Sequence, residues 1–138
     1  WLLKIKVEKP IIEKVLQIIE QVSFKGALVE TKATSIEAQI VQDADRLDAI
    51  GAIGIARTFA YGGSKGRLIY HPDIKPELHS NFDDYKNTTA PTINHFYEKL
   101  LLLKDRLNTK TAIEIAEKRH DFMEKYLSHF FSEWNNLD

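Results

Sequence analysis

The run Val41-Gln42-Asp43-Ala44-Asp45-Arg46-Leu47-Asp48-Ala49-Ile50-Gly51-Ala52-Ile53-Gly54-Ile55-Ala56-Arg57 restricts the fold more than any other part of the chain. Three carboxylates open a stretch that otherwise reads as a buried helix. Acids crowded against apolar residues raise one another's pKa and are costly to desolvate unless a cation or hydrogen-bond donors answer them. A divalent metal, or a phosphate-bound metal, is one natural answer. At helical spacing Asp45 and Asp48 project about 60° apart, while Asp43 lies roughly 160° from Asp45. At most two of the three therefore face one site. The plainer alternative is that the acids favour the positive end of a helix. Against it, Thr34-Ser35-Ile36-Glu37 fits a capping box with Thr34 at the N-cap. That places the helix start well before Asp43 and predicts a helix running to about Phe59.

Other elements follow from periodicity. Pro10 to Val22 reads as a helix opened by proline, with Ile11, Ile12, Val15, Leu16, Ile18, Ile19 and Val22 as a wide apolar face. Gly26 is the expected stop. Gly51 and Gly54 each cost about 1 kcal/mol inside a helix, so another helix or a ligand is expected to come close there. Residues 61–90 carry three glycines, two prolines and a polar tract, and read as one long functional loop. Leu68-Ile69-Tyr70 is the best candidate for a short extended piece. Pro91 opens a helix with Ile93, Phe96, Tyr97, Leu100, Leu101 and Leu107 inward. Asn108 or Thr109 caps a last helix whose inward stripe reads Ala112, Ile115, Ala116, Arg119, Phe122, Met123, Tyr126, Leu127, Phe130 and Trp134.

These elements make one all-α domain of 138 residues. A net charge of −1 favours neither nucleic acid nor an anionic membrane as partner. The absence of cysteine removes disulfide and thiolate chemistry and is compatible with the cytoplasm, the expected location. No apolar run approaches the roughly 20 residues of a membrane span. No Ser/His/Asp order, Walker loop or zinc-finger spacing is present.

The acidic run resembles the last metal-ligand motif of the HD-domain phosphohydrolase superfamily, an Asp-x-Asp-[Lys/Arg]-x-x-Asp context. Thr58-Phe59-Ala60-Tyr61-Gly62-Gly63 and His95-Phe96-Tyr97-Glu98-Lys99-Leu100 extend the resemblance to a branch of small bacterial hydrolases, over nearly the whole chain. It implies an HD-like bundle of about five helices with one long loop at about 61–90. Its implied metal ligand is the acid followed by Lys or Arg, which is Asp45. Asp48 is then a second-shell or helix-stabilising group, and Asp43 a capping or salt-bridging one. The family's first His and its His-Asp pair belong upstream of Trp1. Residues 1–138 are accordingly read as the C-terminal larger part of a single, N-terminally truncated HD-type domain.

Phosphate-binding candidates follow in order of weight. Arg46 and Arg57 fall about 20° from a whole number of turns apart on one continuous helix, and a guanidinium fork suits phosphate oxygens. His95 and Lys99, at i and i+4, share a helix face. Lys25 follows in a helix-ending turn. His120-Asp121 spells the superfamily's dipeptide, but in reverse order relative to Asp45. It is read as a solvated helix face. His71, His79 and His129 show no pairing. The resemblance implies hydrolysis of a nucleotide or other small phosphorylated molecule. Nucleoside triphosphate to monophosphate plus pyrophosphate is one reaction of relatives. The implied cofactor is a divalent metal (Mn, Mg or another transition metal), poorly held by this fragment, which alone is expected to be inactive. A homodimer is kept open. The alternative is a non-catalytic helical domain that binds nucleotide or a protein partner.

Overall fold

Proline in the first turn and an apolar face at helical spacing start α1 (Lys9–Val22), which the extended backbone of Ser23 ends. The computed structural model describes residues 1–78 and 89–137. Four more α-helices follow among them: α2 (Ile36–Asp48), α3 (Gly51–Ser64), α4 (Asn94–Glu98) and α5 (Lys110–Trp134). Two 3₁₀ turns, Leu100–Leu102 and Lys104–Arg106, link α4 to α5. No strand occurs among the described residues. The architecture is an all-α bundle, as expected. No described helix is long and apolar enough to cross a membrane.

The helix predicted from Thr34 to Phe59 is two helices. Ser35, not Thr34, is the N-cap, and its hydroxyl accepts from the Ala38 N–H at 3.1 Å. Thr34 instead donates from its backbone to Gln21 Oε1 at 2.8 Å. The break falls at Ile50, whose backbone is extended, followed by Gly51 at φ +78°. That φ is left-handed and favours glycine. A Cβ on Gly51 would also sit 3.0 Å from Cγ of Arg119, so α5 is the close neighbour foreseen there. The irregular segment begins after Ser64 rather than at Tyr61. Its stretch 79–88, with His79, lies outside the described residues. Leu68-Ile69-Tyr70 forms no strand and Ile69 lies in a bend, while the carbonyls of Leu68 and Ile69 accept from the Thr92 and Ile93 N–H groups at 2.8 and 2.9 Å.

The core joins Phe24, Ile50 and Ile55 to Ile93, Phe96, Leu100, Leu103, Met123 and Leu127. Each such side chain gains about 1.5–3 kcal/mol from burial. Phe96 stacks on Tyr126 at 5.9 Å, and Phe59 meets Tyr126 edge-on at 6.0 Å. The last helix buries Ala112, Ala116, His120, Met123 and Leu127. Four of these belong to the predicted inward stripe, which is too wide on one side and misses the other: Phe122 is half exposed and His120 is inside. α1 packs against α2 but buries no residue completely, leaving Ile11, Leu16 and Ile19 half exposed or more.

Candidate functional site

α2 presents its three acids in three different directions. Asp43 points inward and is 2% exposed. Its Oδ1 accepts from the backbone and side-chain nitrogens of Asn108, both at 2.8 Å. Its Oδ2 accepts from the Thr109 N–H and hydroxyl, also both at 2.8 Å. Thr109 is the N-cap of α5, so Asp43 answers that helix's first free N–H groups from another helix. The sequence leaves capping and salt bridging open for it; its bonds lie at the entry to α5, and its charge also acts on Arg46. Asp48, at the other end of α2, is exposed and pairs with Arg57. Asp45 is exposed on the face away from Asp43.

Asp45 shares its surroundings with Lys99, although the two are far apart in sequence. Burial pulls the Lys99 ammonium below the ordinary lysine range; the Asp45 carboxylate opposes that fall, and Arg57 adds to it. The Lys99 amine also lies 5.1 Å from the centre of the Phe24 ring. Such a desolvated cation over a ring is favourable. His95 stands one helical turn before Lys99, and the Lys99 N–H donates to the His95 carbonyl at 3.0 Å. Burial, then the charges of Lys99 and Arg67, push the His95 imidazole down to about 4. It is therefore neutral at pH 7 and acts as a hydrogen-bonding group, not as a cation.

The charges of Asp45 and Arg57 both act on Lys99, with His95 one helical turn before it and Asp48 paired to Arg57. Arg46 also feels the Asp45 charge, but its side chain is turned into the interior. Arg46 is 5% exposed and donates to the Arg106 carbonyl and, at 3.3 Å, to Thr31 Oγ1. The break at Ile50 puts Arg46 and Arg57 on different helices, so the rotation that aligned them does not apply. A buried guanidinium bonded to backbone is structural, which corrects its assignment as a phosphate contact. Lys25 is exposed and follows Phe24, whose ring is shared by Lys99 and, at 5.2 Å, by Arg106. Sequence reasoning missed Arg67 and Phe24. Neither stands in a motif, and only the fold brings them to this place.

His120 also needs correction. It is 9% exposed rather than solvated, with Nε2 3.3 Å from Glu124 Oε1 and with Nδ1 buried and without a hydrogen-bond partner. Asp121 is exposed. Among the described residues no group of three His, Cys, Asp or Glu side chains converges to hold a metal ion.

No protein-family model matches the chain. A crystal structure from Lactobacillus plantarum is 41% identical and superposes with a TM-score of 0.92, covering 98% of this chain and 66% of that one. An HD-superfamily hydrolase from Bacillus thuringiensis is 49% identical with a TM-score of 0.69, over 98% of this chain and 59% of that one. Bacillus subtilis YpgQ, solved in complex with ADP, is 37% identical with a TM-score of 0.72, over 99% of this chain and 62% of that one. By sequence, YpgQ is 41% identical over 128 residues. The chain spans about half the length of the curated relatives it matches, 54% and 44%. In sequence and in its all-α fold, the chain is similar to bacterial proteins that include an HD-superfamily hydrolase.

Proposed function

We infer that the chain belongs to the HD superfamily and forms the Asp45 side of a phosphohydrolase site for a nucleotide or another small phosphorylated molecule. The observation that carries this reading is the action of the Asp45 charge on the desolvated Lys99 ammonium, in a chain 49% identical to an HD-superfamily hydrolase. The ADP bound to YpgQ supports a nucleotide as ligand.

The donors on hand do not fit a divalent ion by themselves. Asp45 is one carboxylate, and no three-ligand cluster exists among the described residues. A metal at Asp45 requires donors beyond those residues. Lys99 binds a phosphate oxygen: a desolvated ammonium attracts an anion more strongly than a hydrated one. His95, neutral, gives or takes one hydrogen bond at that phosphate. Arg57 adds positive charge while held by Asp48. A second reading, nucleotide binding without cleavage, is favoured by the incomplete ligand set alone.

The test is phosphate or pyrophosphate release from nucleoside triphosphates by the full-length protein with Mn²⁺. Asp45→Ala should abolish it, while Asp121→Ala, at the exposed residue of the His-Asp pair, should leave it near wild type. Lys99→Ala should weaken turnover more than metal affinity, since a lysine contacts phosphate but not a cation. Nucleotide binding without release in any metal would favour the second reading. Equal losses from Asp45→Ala and Asp121→Ala, with both folded, would refute the assignment.

A further inference from the structure

Helices are usually seated by a stripe of apolar side chains, but in α2 that stripe is reduced to Ala38 and Leu47. Its fully buried residues are Ala38, Gln42, Asp43 and Arg46. Its branched apolar residues Ile36, Ile40 and Val41 are 58%, 55% and 45% exposed. Beside Ala38 and Leu47, a set of directional polar bonds holds α2 against the molecule. Gln42 Nε2 donates to the carbonyls of Gln21 at 2.6 Å and Thr31 at 3.0 Å. Gln42 Oε1 accepts from Asn108 Nδ2 at 2.9 Å, the same nitrogen that serves Asp43 Oδ1. Arg46 reaches the Arg106 carbonyl. Three side chains of α2 therefore grip residues 106–109, and Asp43, with four bonds, is the centre of that grip.

Apolar packing tolerates small rotations of a helix about its axis. Four short hydrogen bonds to two fixed backbone N–H groups and two side chains do not, because they weaken steeply with angle. A rotation of about 20° carries a side-chain tip roughly 5 Å from the axis through about 2 Å. That displacement is enough to spoil a functional contact. Asp45 sits on the opposite face of α2, two residues on, and turns with it.

We propose that Asp43 is the positioning residue of the site: by locking the rotation of α2 to Asn108 and Thr109, it sets the Asp45 carboxylate against Lys99. This rests on Asp45 being the functional acid. Buried polar networks are often replaceable without loss of stability, their role being to select one arrangement. The expected signature is therefore a loss of site geometry beyond any loss of stability.

The test has two readouts. The first uses denaturant unfolding and needs no activity. Asp45→Asn, Lys99→Met and the double change form a cycle, measured in the wild-type and Asp43→Asn backgrounds. Asp43→Asn keeps the shape but turns an amide donor toward the N–H and hydroxyl of Thr109. Non-additivity is expected in the wild type and its loss in Asp43→Asn. Additivity in the wild type, or non-additivity undiminished in Asp43→Asn, overturns the proposal and leaves Asp43 as a helix cap only. If Asp43→Asn does not fold, Asn108→Ala replaces it, removing the side-chain bonds while sparing the Thr109 cap. A diminished coupling is expected there, and an undiminished one overturns the proposal. The second readout is turnover by the full-length protein at temperatures where Asp43→Asn is fully folded. A fall in kcat of tenfold or more, with the nucleotide KM changed far less, is expected; wild-type kcat overturns the proposal. If the coupling behaves as expected but Asp45→Ala leaves metal-dependent release intact, the positioning stands and the phosphohydrolase reading falls.

Discussion

Acid should destabilise this protein through His95 before its carboxylates are titrated. Burial and the charges of Lys99 and Arg67 hold the folded imidazole at about 4, against 6.5 for the ordinary group. In the unfolded chain the same imidazole takes up its proton near the ordinary value. Between those two values the unfolded state binds more protons, so stability falls as the pH drops from about 6.5 to about 4 and is fully present above that window. Each unit of pKa difference is worth about 1.4 kcal/mol. Integrated from pH 7 to pH 5, the loss from this one residue is about 2 kcal/mol.

His95→Gln removes the titration while keeping a polar side chain of similar length. Urea unfolding of wild type and variant at pH 7, 6 and 5 isolates the contribution of the imidazole, because the carboxylates common to both cancel in the difference. The wild type should lose about 2 kcal/mol more than the variant between pH 7 and pH 5. Parallel stability curves across that range would refute the reasoning, since they require an imidazole that titrates alike in both states.

Other perturbations test the remaining fold. Met123, 0% exposed at the centre of the core, should cost about 2–5 kcal/mol when changed to Ala, read as a fall in the urea midpoint at unchanged m. Gly51→Ala should cost more than about 1 kcal/mol, because a positive φ and the Arg119 side chain both oppose a Cβ there; a neutral result would mean the helix break is not needed. Arg57→Ala should change thermal stability by less than about 0.5 kcal/mol, its pair with Asp48 being solvent-exposed on both sides. Ile11, Leu16, Ile19, Ile40 and Ile53 leave apolar surface exposed on α1, α2 and α3, so residues 1–138 alone should self-associate in sedimentation. A monodisperse monomer at high concentration would contradict that.

What the sequence made legible, and what it hid, divides along one physical line. Periodicity reports which positions share a face, and proline, serine and glycine report where helices start and break. Hence the all-α bundle, the start of α1 near Pro10 and a cap of α5 at Asn108 or Thr109 could be read directly. Periodicity does not report which of two adjacent stripes faces the core when both carry apolar residues. In α5 the predicted stripe holds Ala112 and Ala116, which are buried, but also Ile115 and Phe122, which are not. Small residues let α3 approach closely, as the contact of Arg119 with Gly51 requires, and His120 was carried inward with them. The same blindness applies to a polar residue, which reads as solvated unless its partners are known. Gln42, Asp43 and Arg46 look like the wet side of α2, yet they are its seat, because residues 106–109 bring the matching donors and acceptors. Asp45 is singled out by resemblance, as the acid followed by Arg; helical spacing says only that it and Asp43 could not share a face. Arg46, its neighbour, could not be judged the same way. A guanidinium that reaches a backbone carbonyl in the interior and one that waits for a phosphate have the same letter and the same spacing, and only the packed chain separates them.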